Sequence, residues 1–316
     1  MGLMATLQII KPGVQATLQG ALRSGHRHLG VPWSGPADSV SLGLANRLVG
    51  NRAAEIGIEI TYGNFSVEIC TDLALAVTGA EAHLALNGQA APFHETMFVQ
   101  KGDILELGSP ETGLRSYIAV SGGIRADNFL DSPSTYLPAG FGGHKGRALK
   151  PDDVLETARS NTTLSEHART PDALRYPIGS SFALRATEGP DYSESYATLW
   201  TEQFRATRRA SRIGFEIEGN LPQDRDARSG NLPSAGLFPG ALQVPPQGRG
   251  FLLLSDCQTT GGYPHLLQVN RSDRHQLGQV RPGDSVIFLH RSADQAAEDL
   301  RDKHALLSSW VPDILL

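Results

Sequence analysis

Short runs of β-branched and apolar residues, each about the length of one strand, recur along the 316-residue sequence. The 34 glycines and 19 prolines separate these runs and do not gather in one linker. Asn87-Gly88 suits a tight hairpin, because both central residues of such a turn need positive φ. Many short strands with turn signals about every ten residues are typical of barrels and sandwiches. We predict strands at Ile56–Thr61, Phe65–Cys70, Leu73–Val77, Ala82–Leu86, Ile104–Leu107, Ser116–Val120, Phe251–Leu254 and Ser285–Leu289.

Helices are the minority element, and three are predicted. Asp38–Asn51 opens with a capping acid, repeats apolar residues at helical spacing and ends at a glycine. Ser193–Arg208 places aromatic and apolar residues on one helical face. Ser292–His304 begins with Ser292 and Gln295 at the spacing of a capping box.

A dilute polar stretch, Ala158–Pro177, is the best candidate for a linker. The length allows two domains of ordinary size, so we predict an N-terminal β domain at 1–160 and a C-terminal β domain at 170–316. The predicted fold class is mainly β, with two β-barrel-type domains and a few short helices.

Composition excludes several classes of protein. The net charge of −5 gives no general attraction to nucleic acid or to an anionic membrane, so we expect neither as a partner. Cys70 and Cys257 support neither a zinc knuckle nor a disulfide framework. His26 and His28 lack a nearby third ligand, so no metal site is predicted. Because Met1–Ile10 is not a signal peptide and no apolar run reaches about 18 residues, we expect a cytoplasmic protein.

The sequence lacks the common nucleotide and hydrolase motifs. It has no Gly-x-x-x-x-Gly-Lys-Ser/Thr loop, no strand-borne Gly-x-Gly-x-x-Gly, no Gly-x-Ser-x-Gly and no His-Glu-x-x-His. If the chemistry requires a nucleotide, we expect that this chain does not hold it by a P-loop.

The densest polar segment follows the apolar strand that ends near Leu254. Asp256 is a candidate for taking up a proton, and Tyr263 for donating to a developing oxyanion. The residues between them suit an amide ligand, because they combine amide, hydroxyl and exposed backbone N–H groups. An ordinary strand-to-turn junction, with the Asp side chain capping backbone amides, is the alternative. The predicted substrate contacts here are Gln258, Thr259, Thr260, Gly261 and Gly262.

Two further segments are candidates for holding substrate. Ser34 and Asp38 directly precede a predicted helix, whose N-terminus favours an anion such as a carboxylate. Asp38 is equally a natural N-cap, so a purely structural role stays open. Arg212 is a candidate for a bidentate pair with a substrate carboxylate, and we group it with Gln243 of the Gln-Val-Pro-Pro run. An Arg in such a place is otherwise a surface residue.

Five runs together resemble the allophanate hydrolase subunit 2 family, which includes the C-type component of 5-oxoprolinase and the Kip-type antagonist protein. They follow the family order along nearly the whole chain, and the run Gln-Thr-Thr-Gly-Gly-Tyr-Pro is the most specific of them. The runs are Arg27–Asp38, Leu44–Asn51, Ile118–Ile124, Gly240–Pro246 and Gln258–Pro264.

This resemblance implies a cyclophilin-like β-barrel for the C-terminal domain and a B-type (KipI-like) partner subunit that shares the active site. With an A-type (LamB/YcsF-like) subunit, the complex would open the lactam of 5-oxoproline to glutamate, with ATP bound at the level of the complex. Two alternatives stay open. One is a biotin-dependent carboxyltransferase half acting on urea or another small amide. The other is a non-catalytic regulatory antagonist that binds a KipI-like partner.

Four positions depart from the family pattern. Gly20 and Ala235 stand where the pattern has acids, Pro133 where it has an arginine, and Cys257 where it has a basic or similar residue. These departures keep the antagonist alternative open, because they remove charged groups next to the matching runs.

Overall fold

The structure of the chain, a computed structural model, describes residues 5–157, 166–221, 232–245 and 248–316. Positions 158–165 of the predicted linker and Pro246 lie outside the described residues. The chain divides into two compact units. The first unit comprises Met1–Arg23, Ser34–Ile178 and Leu306–Leu315, and the second comprises Ser24–Trp33, Gly179–Ala305 and Leu316.

Two segments belong to a different unit from the one that the predicted domain ranges give them. Residues 24–33 belong to the second unit, where Trp33 packs against Phe238 with ring centroids 5.6 Å apart. Residues 306–315 belong to the first unit, where Trp310 packs against a buried cluster. Both assignments come from long-range packing, which no local change in composition reveals.

The first unit is built from two β-sheets. A six-stranded sheet has the order β11-β1-β4-β9-β6-β7, and a five-stranded sheet has the order β2-β3-β10-β5-β8. Here β1 is Ala5–Pro12, β2 Gln15–Gln19, β3 Gly57–Thr61, β4 Phe65–Ile69, β5 Leu73–Gly79, β6 Leu84–Leu86, β7 Gln89–Ala90, β8 Met97–Val99, β9 Ile104–Leu107, β10 Arg115–Val120 and β11 Val154–Glu156. Side chains of both sheets share one buried cluster, including Leu7, Val67, Ile58 and Val77. The core of this unit therefore lies between the sheets.

Helix α1, Ser39–Leu48, confirms the first predicted helix. The Asp38 carboxylate accepts a hydrogen bond from the Ser41 backbone N–H at 2.9 Å, which is the predicted N-cap contact. The apolar side chains of α1 are buried, and the helix packs on strands β5 and β10. This packing fixes the turn that precedes the helix.

The second unit contains a closed barrel of seven strands in the order β12-β19-β16-β17-β14-β13-β20. Strand β20 runs parallel to β12 and closes the ring, and β15 and β18 form a separate two-stranded ribbon. Here β12 is Ser181–Glu188, β13 Gln203–Ala210, β14 Gly214–Glu218, β15 Ala235–Gly236, β16 Ala241–Gln243, β17 Gly250–Leu253, β18 Thr260–Gly261, β19 His265–Val269 and β20 Ser285–His290. The predicted mainly β fold is confirmed, with its closed barrel in this unit and two sheets in the first.

Each of the predicted strands overlaps an observed one. The predicted hairpin is also present, with Asn87 at φ 52°, Gly88 at φ 75° and Leu86 paired with Gln89. Strand-length apolar runs bounded by turn residues therefore identify strands reliably in this chain.

The predicted helix at Ser193–Arg208 is wrong. Only Glu194–Trp200 is helical, as a 3₁₀-helix, and the remainder enters strand β13. Phe204 and Ala206 alternate with exposed neighbours along β13 and are buried in the barrel. Tyr196, Trp200 and Phe204 follow one another at intervals of four residues. This spacing fits one face of a helix and also one face of a strand, so the sequence pattern does not distinguish the two.

Helix α2, Ala293–Ser308, confirms the third predicted helix. Its capping box is reciprocal: Gln295 Oε1 accepts from the Ser292 backbone N–H at 2.9 Å, and Ser292 Oγ accepts from the Gln295 backbone N–H at 3.2 Å. Among the described residues, no helix has the length and apolar character needed to cross a membrane.

Candidate active site

A cavity of about 380 Å³ opens in the barrel unit. Three of the predicted site residues, Gln243, Gln258 and Tyr263, line it. They come from strand β16 and from the polar segment after β17, so the barrel brings together two of the predicted segments. The described residues that line it are Arg209, Glu216, Gln243, Pro245, Arg249, Phe251, Gln258 and Tyr263.

Two side-chain amides are linked across this cavity. Gln243 is buried; its Nε2 donates to the Tyr263 carbonyl at 3.0 Å, and its Oε1 accepts from Gln258 Nε2 at 3.1 Å. Gln258 is exposed, and this bond uses one of its two amide N–H groups, so the second N–H and the carbonyl are available to a ligand. Tyr263 is 47% exposed, which leaves its ring and hydroxyl accessible. The cavity therefore offers an amide-binding surface.

Glycine at 261 allows this arrangement. A Cβ built there would lie 2.6 Å from Leu237 Cδ1 and 2.9 Å from Gln243 Nε2, closer than real Cβ contacts. Thr260 and Gly261 form strand β18, which pairs with β15. Thr259 accepts a backbone hydrogen bond from Leu237 N at 2.9 Å. The run after Gln258 is thus held against the Gln243 side chain by backbone contacts.

At Gly262, a Cβ would lie 2.9 Å from the Leu232 carbonyl oxygen. Gly262, Thr259 and Thr260 do not line the cavity. Their assignment as substrate contacts stays a prediction.

Two further predicted site residues, Arg212 and Asp256, are not in the lining of the cavity and pair with each other. Arg212 Nε is 2.8 Å from Asp256 Oδ2, and Arg212 Nη2 is 3.4 Å from Oδ1. The two side chains are 4% and 1% exposed. Asp256 is therefore engaged with a buried guanidinium, and Arg212 with a carboxylate of the chain itself. This geometry favours a positioning role for both, and the predicted roles in proton transfer and substrate binding stay untested.

Sequence reasoning missed three charged residues of the lining. Glu216 on β14 is 4% exposed and accepts from Arg209 Nη1 and Arg249 Nη1, each at 2.8 Å, and from Thr207 Oγ1 at 3.1 Å. Burial raises the pKa of Glu216, but the hydrogen bonds from Arg249 and Thr207 and the nearby arginine charges outweigh it and hold the pKa below its usual range. The available signal was an acid between two apolar residues, Phe215 and Ile217, which point into the barrel core and so place Glu216 on the other face of β14. A chain of this kind buries such an acid only when it is paired.

Arg27 fixes the polar loops of the barrel unit, a role that sequence reasoning also missed. Its guanidinium stacks on Trp33 and Phe238, 5.0 Å from each ring centroid. Its Nη2 donates to the Leu237 carbonyl and, at 3.4 Å, to the Gln258 carbonyl. Arg27 therefore links the backbone at Leu237, just before strand β16, to the backbone at Gln258 in the polar segment after β17.

Ser34 and Asp38 belong to the first unit. Ser34 is buried at φ 54°, a conformation that few non-glycine residues adopt, and its Oγ accepts from Arg23 Nη1 at 3.2 Å. The Asp38 carboxylate accepts from Ser41 N, Ser41 Oγ and the Tyr176 hydroxyl. Asp38 is fully buried as the N-cap, so its structural role is present, and substrate binding at Ser34 and Asp38 stays a prediction.

The departures from the family pattern have local explanations at two positions. A Cβ at Gly20 would lie 3.1 Å from both the Ala54 carbonyl oxygen and Ile56 Cγ1, which leaves little room for an acid. Cys257 is fully buried, and burial, partly offset by Arg27, raises the pKa of its thiol to about 11. Nothing in the structure explains Pro133 or Ala235 in terms of function.

The first unit contains a second cavity, of about 360 Å³. Buried His94 lines it beside Arg175, Glu81 and Tyr176. Burial and the Arg175 charge lower the pKa of His94 to about 4, so the imidazole is neutral near pH 7. Among the described residues, no three or more His, Cys, Asp or Glu side chains are grouped to hold a metal ion.

Comparison with known proteins identifies the relatives of this chain. Residues 29–290 match a family model described as carboxyltransferase domain, subdomain A and B. The chain is 34% identical over 301 residues to the C component of the 5-oxoprolinase of Escherichia coli (strain K12), covering 94% of this chain and 95% of the relative. It is 30% identical over 314 residues to urea amidolyase of Saccharomyces cerevisiae, covering 92% of this chain but 17% of that protein.

A solved structure shows the same architecture. The Kluyveromyces lactis urea carboxylase superposes on the whole chain with a TM-score of 0.91 and 26% identity. The match covers 100% of this chain and 30% of that one. This chain thus corresponds to one section of the large fungal enzymes and to nearly the full length of the bacterial 5-oxoprolinase component.

Proposed function

This chain belongs to the family described as carboxyltransferase domain, subdomain A and B. On that premise we propose that it is the C-type component of an ATP-dependent 5-oxoprolinase-type complex. The complex opens the lactam of 5-oxoproline to glutamate. The observation that carries the proposal is the amide-lined cavity, formed by Gln243, Gln258 and Tyr263. The similarity to the C component of a bacterial 5-oxoprolinase, along nearly the full length of both chains, supports it.

The cavity suits a lactam for a geometric reason. A five-membered lactam is a cis amide, so its N–H and C=O lie on the same side of the ring. A side-chain amide presents a carbonyl and an N–H in the complementary arrangement. Gln258 can therefore accept from the lactam N–H while it donates to the lactam C=O, with Gln243 fixing the orientation of the Gln258 amide.

Hydrolysis of the lactam requires negative charge to develop on the carbonyl oxygen. An N–H of Gln258 and the accessible hydroxyl of Tyr263 are donors that would stabilise this charge. Asp256 acts at a distance in this proposal, because its buried pair with Arg212 holds the segment that carries Gln258. When the C–N bond breaks, the leaving nitrogen takes up a proton, which the attacking water releases as it adds to the carbonyl carbon; Tyr263 is the candidate to pass it on, so that its hydroxyl is restored.

The cavity does not fit ATP. Its described lining has two arginines, two amides and a tyrosine but no lysine and a single buried acid, whereas a P-loop triphosphate site combines a cradle of backbone N–H groups with a lysine and a magnesium ion. We therefore place ATP on a partner subunit and derive no step through it. The proposed partners are a B-type subunit that completes the site and an A-type subunit.

The second candidate is a carboxyltransferase half that acts on urea or another small amide. The superposition of the whole chain on K. lactis urea carboxylase favours it. The ureido ring of biotin presents the same N–H and C=O pair as a lactam, so Gln258 suits both groups. Carboxybiotin would supply the carboxyl group in that reaction.

Reconstitution distinguishes the candidates. The full chain is mixed with the A-type and B-type subunits, and glutamate release from 5-oxoproline and ATP is measured. Release that needs all three subunits supports the first candidate, and Gln258→Leu should reduce it at least tenfold while Gln89→Leu, on exposed strand β7, does not. Carboxybiotin consumption without ring opening favours the second candidate. Tight binding of the B-type subunit without turnover favours a regulatory antagonist.

A further inference from the structure

Two arginines share one buried carboxylate at the cavity. Glu216 is 4% exposed, whereas the Arg209 and Arg249 side chains are 76% and 55% exposed. Each guanidinium donates one hydrogen bond to Glu216, from Nη1, at 2.8 Å. An arginine has five N–H donors, so four on each side chain remain for solvent or a ligand.

The charges at this point do not cancel. Among the described residues of the lining, Arg209, Arg249 and Glu216 are charged, and together they carry a net charge of +1. Glu218 also acts on Arg249, with an effect weaker than that of Glu216, and it is not among the described residues that line the cavity. The cavity therefore combines an amide surface with an excess of positive charge.

The cluster of Glu216, Arg209 and Arg249 differs from a surface ion pair because its carboxylate is held in place by the strand that carries it. Glu216 is anchored in the barrel wall by strand pairing, with Glu216 opposite Phe251 of strand β17. Both oxygens of its carboxylate are bonded, one to Arg209 and one to Arg249 and Thr207. Each arginine is consequently directed by a fixed acceptor, which lowers the entropic cost of presenting its remaining donors to an anion.

We propose that Arg209 and Arg249, held by Glu216, bind the carboxylate of an anionic amide whose amide group pairs with Gln258. This inference rests on the proposed function and deepens it, because it makes the two arginines the residues that distinguish a lactam acid from a neutral amide such as urea. Arg212 cannot serve in this way, since its guanidinium is buried against Asp256. The substrate carboxylate that the sequence predicts for Arg212 is therefore assigned to Arg209 and Arg249.

The test compares two ligands that differ by one carboxylate: 5-oxoproline and 2-pyrrolidinone. Their dissociation constants are measured by NMR titration of the full chain. The wild-type chain should bind 5-oxoproline at least tenfold more tightly, because charge-assisted hydrogen bonds to Arg are stronger than neutral ones. The double variant Arg209→Gln/Arg249→Gln should bind both ligands with equal, weak affinity. Arg208→Gln is the matched control, because it removes an exposed charge from the same strand β13 outside the cavity lining.

The outcomes separate this inference from the proposed function. Equal affinity of the wild-type chain for the two ligands, no binding of either, or a preference that survives in the double variant would overturn the inference. In the reconstituted complex, the double variant should raise KM for 5-oxoproline with little change in kcat. If the complex with the double variant releases glutamate at the same KM for 5-oxoproline as the wild-type complex, the inference is overturned and the proposed function is not. A carboxylate preference without glutamate release would overturn the function and leave the inference intact.

Discussion

Arg212 and Asp256 form an ion pair inside the barrel unit, with Arg212 Nε 2.8 Å from Asp256 Oδ2. The backbone repeats the connection, because Asp256 N donates to the Arg212 carbonyl at 3.0 Å. The pair joins the start of strand β14 to the loop that leads to Gln258. Side chain and backbone together therefore set where the amide-binding loop begins.

Breaking this pair should destabilise the protein strongly. Asp256→Asn leaves a buried guanidinium without its counter-charge, so we expect the free energy of unfolding to fall by about 3–5 kcal/mol. Urea denaturation measures the loss. The double variant Arg212→Met/Asp256→Leu removes both charges and should recover most of it. A loss below about 1 kcal/mol in Asp256→Asn would instead favour direct proton handling by Asp256, provided that turnover is abolished.

The strands of this chain were predictable because their signals are local. Turn residues such as Asn87-Gly88 and apolar runs such as Ile104–Leu107 mark strand ends whatever the rest of the chain does. The segment at Ser193–Arg208 was not predictable in the same way. Its aromatic residues fit both periods, and pairing with strands β14 and β20 decides in favour of a strand.

The site was predictable only in part, for the same reason. Gln243, Gln258 and Tyr263 lie in polar runs that are conspicuous in the sequence. Glu216 and Arg249 are separated by more than thirty positions and meet through the register of β14 and β17, where Ile217 pairs with Gly250. Register is set by long-range packing, so the charged side of the cavity becomes visible only in the folded barrel.

Stability should depend on His94 in mildly acidic solution. Burial and Arg175 lower the pKa of His94 to about 4, whereas an unfolded histidine titrates near 6.5. Between these values the unfolded chain binds a proton that the folded chain does not, so stability falls as the pH drops from 6.5 to 4. The full contribution is roughly 3 kcal/mol.

Unfolding free energies of the wild type and His94→Gln, measured from pH 7 to pH 4, check this prediction. The difference in unfolding free energy between the two proteins should change between pH 6.5 and pH 4. Taking this difference removes the contributions of other buried histidines such as His275, which both proteins share. Parallel curves for the two proteins would show that His94 titrates normally.

Cys257 should be chemically inert in the folded protein. Its thiol is fully buried, and its pKa of about 11 leaves roughly 100-fold less thiolate at pH 8 than a pKa of 9 would. We expect alkylation by iodoacetamide to be at least that much slower in the native protein than in urea, measured by mass spectrometry of the Cys257 peptide. Equal rates in the two conditions would contradict the buried placement of Cys257.

Gly261→Ala should disturb the amide surface more than its size implies. The added Cβ would lie 2.6 Å from Leu237 Cδ1 and 2.9 Å from Gln243 Nε2, so the Gln243 amide must shift and Gln258 loses its fixed acceptor. We expect a loss of about 1–3 kcal/mol in unfolding free energy, together with a raised KM for the lactam in the reconstituted complex. Gly236→Ala is the matched control, because Gly236 lies on the paired strand β15 and its Cβ would meet nothing within 4 Å. Similar effects of the two substitutions would mean that the two-stranded ribbon, and not the contact with Gln243, determines the result.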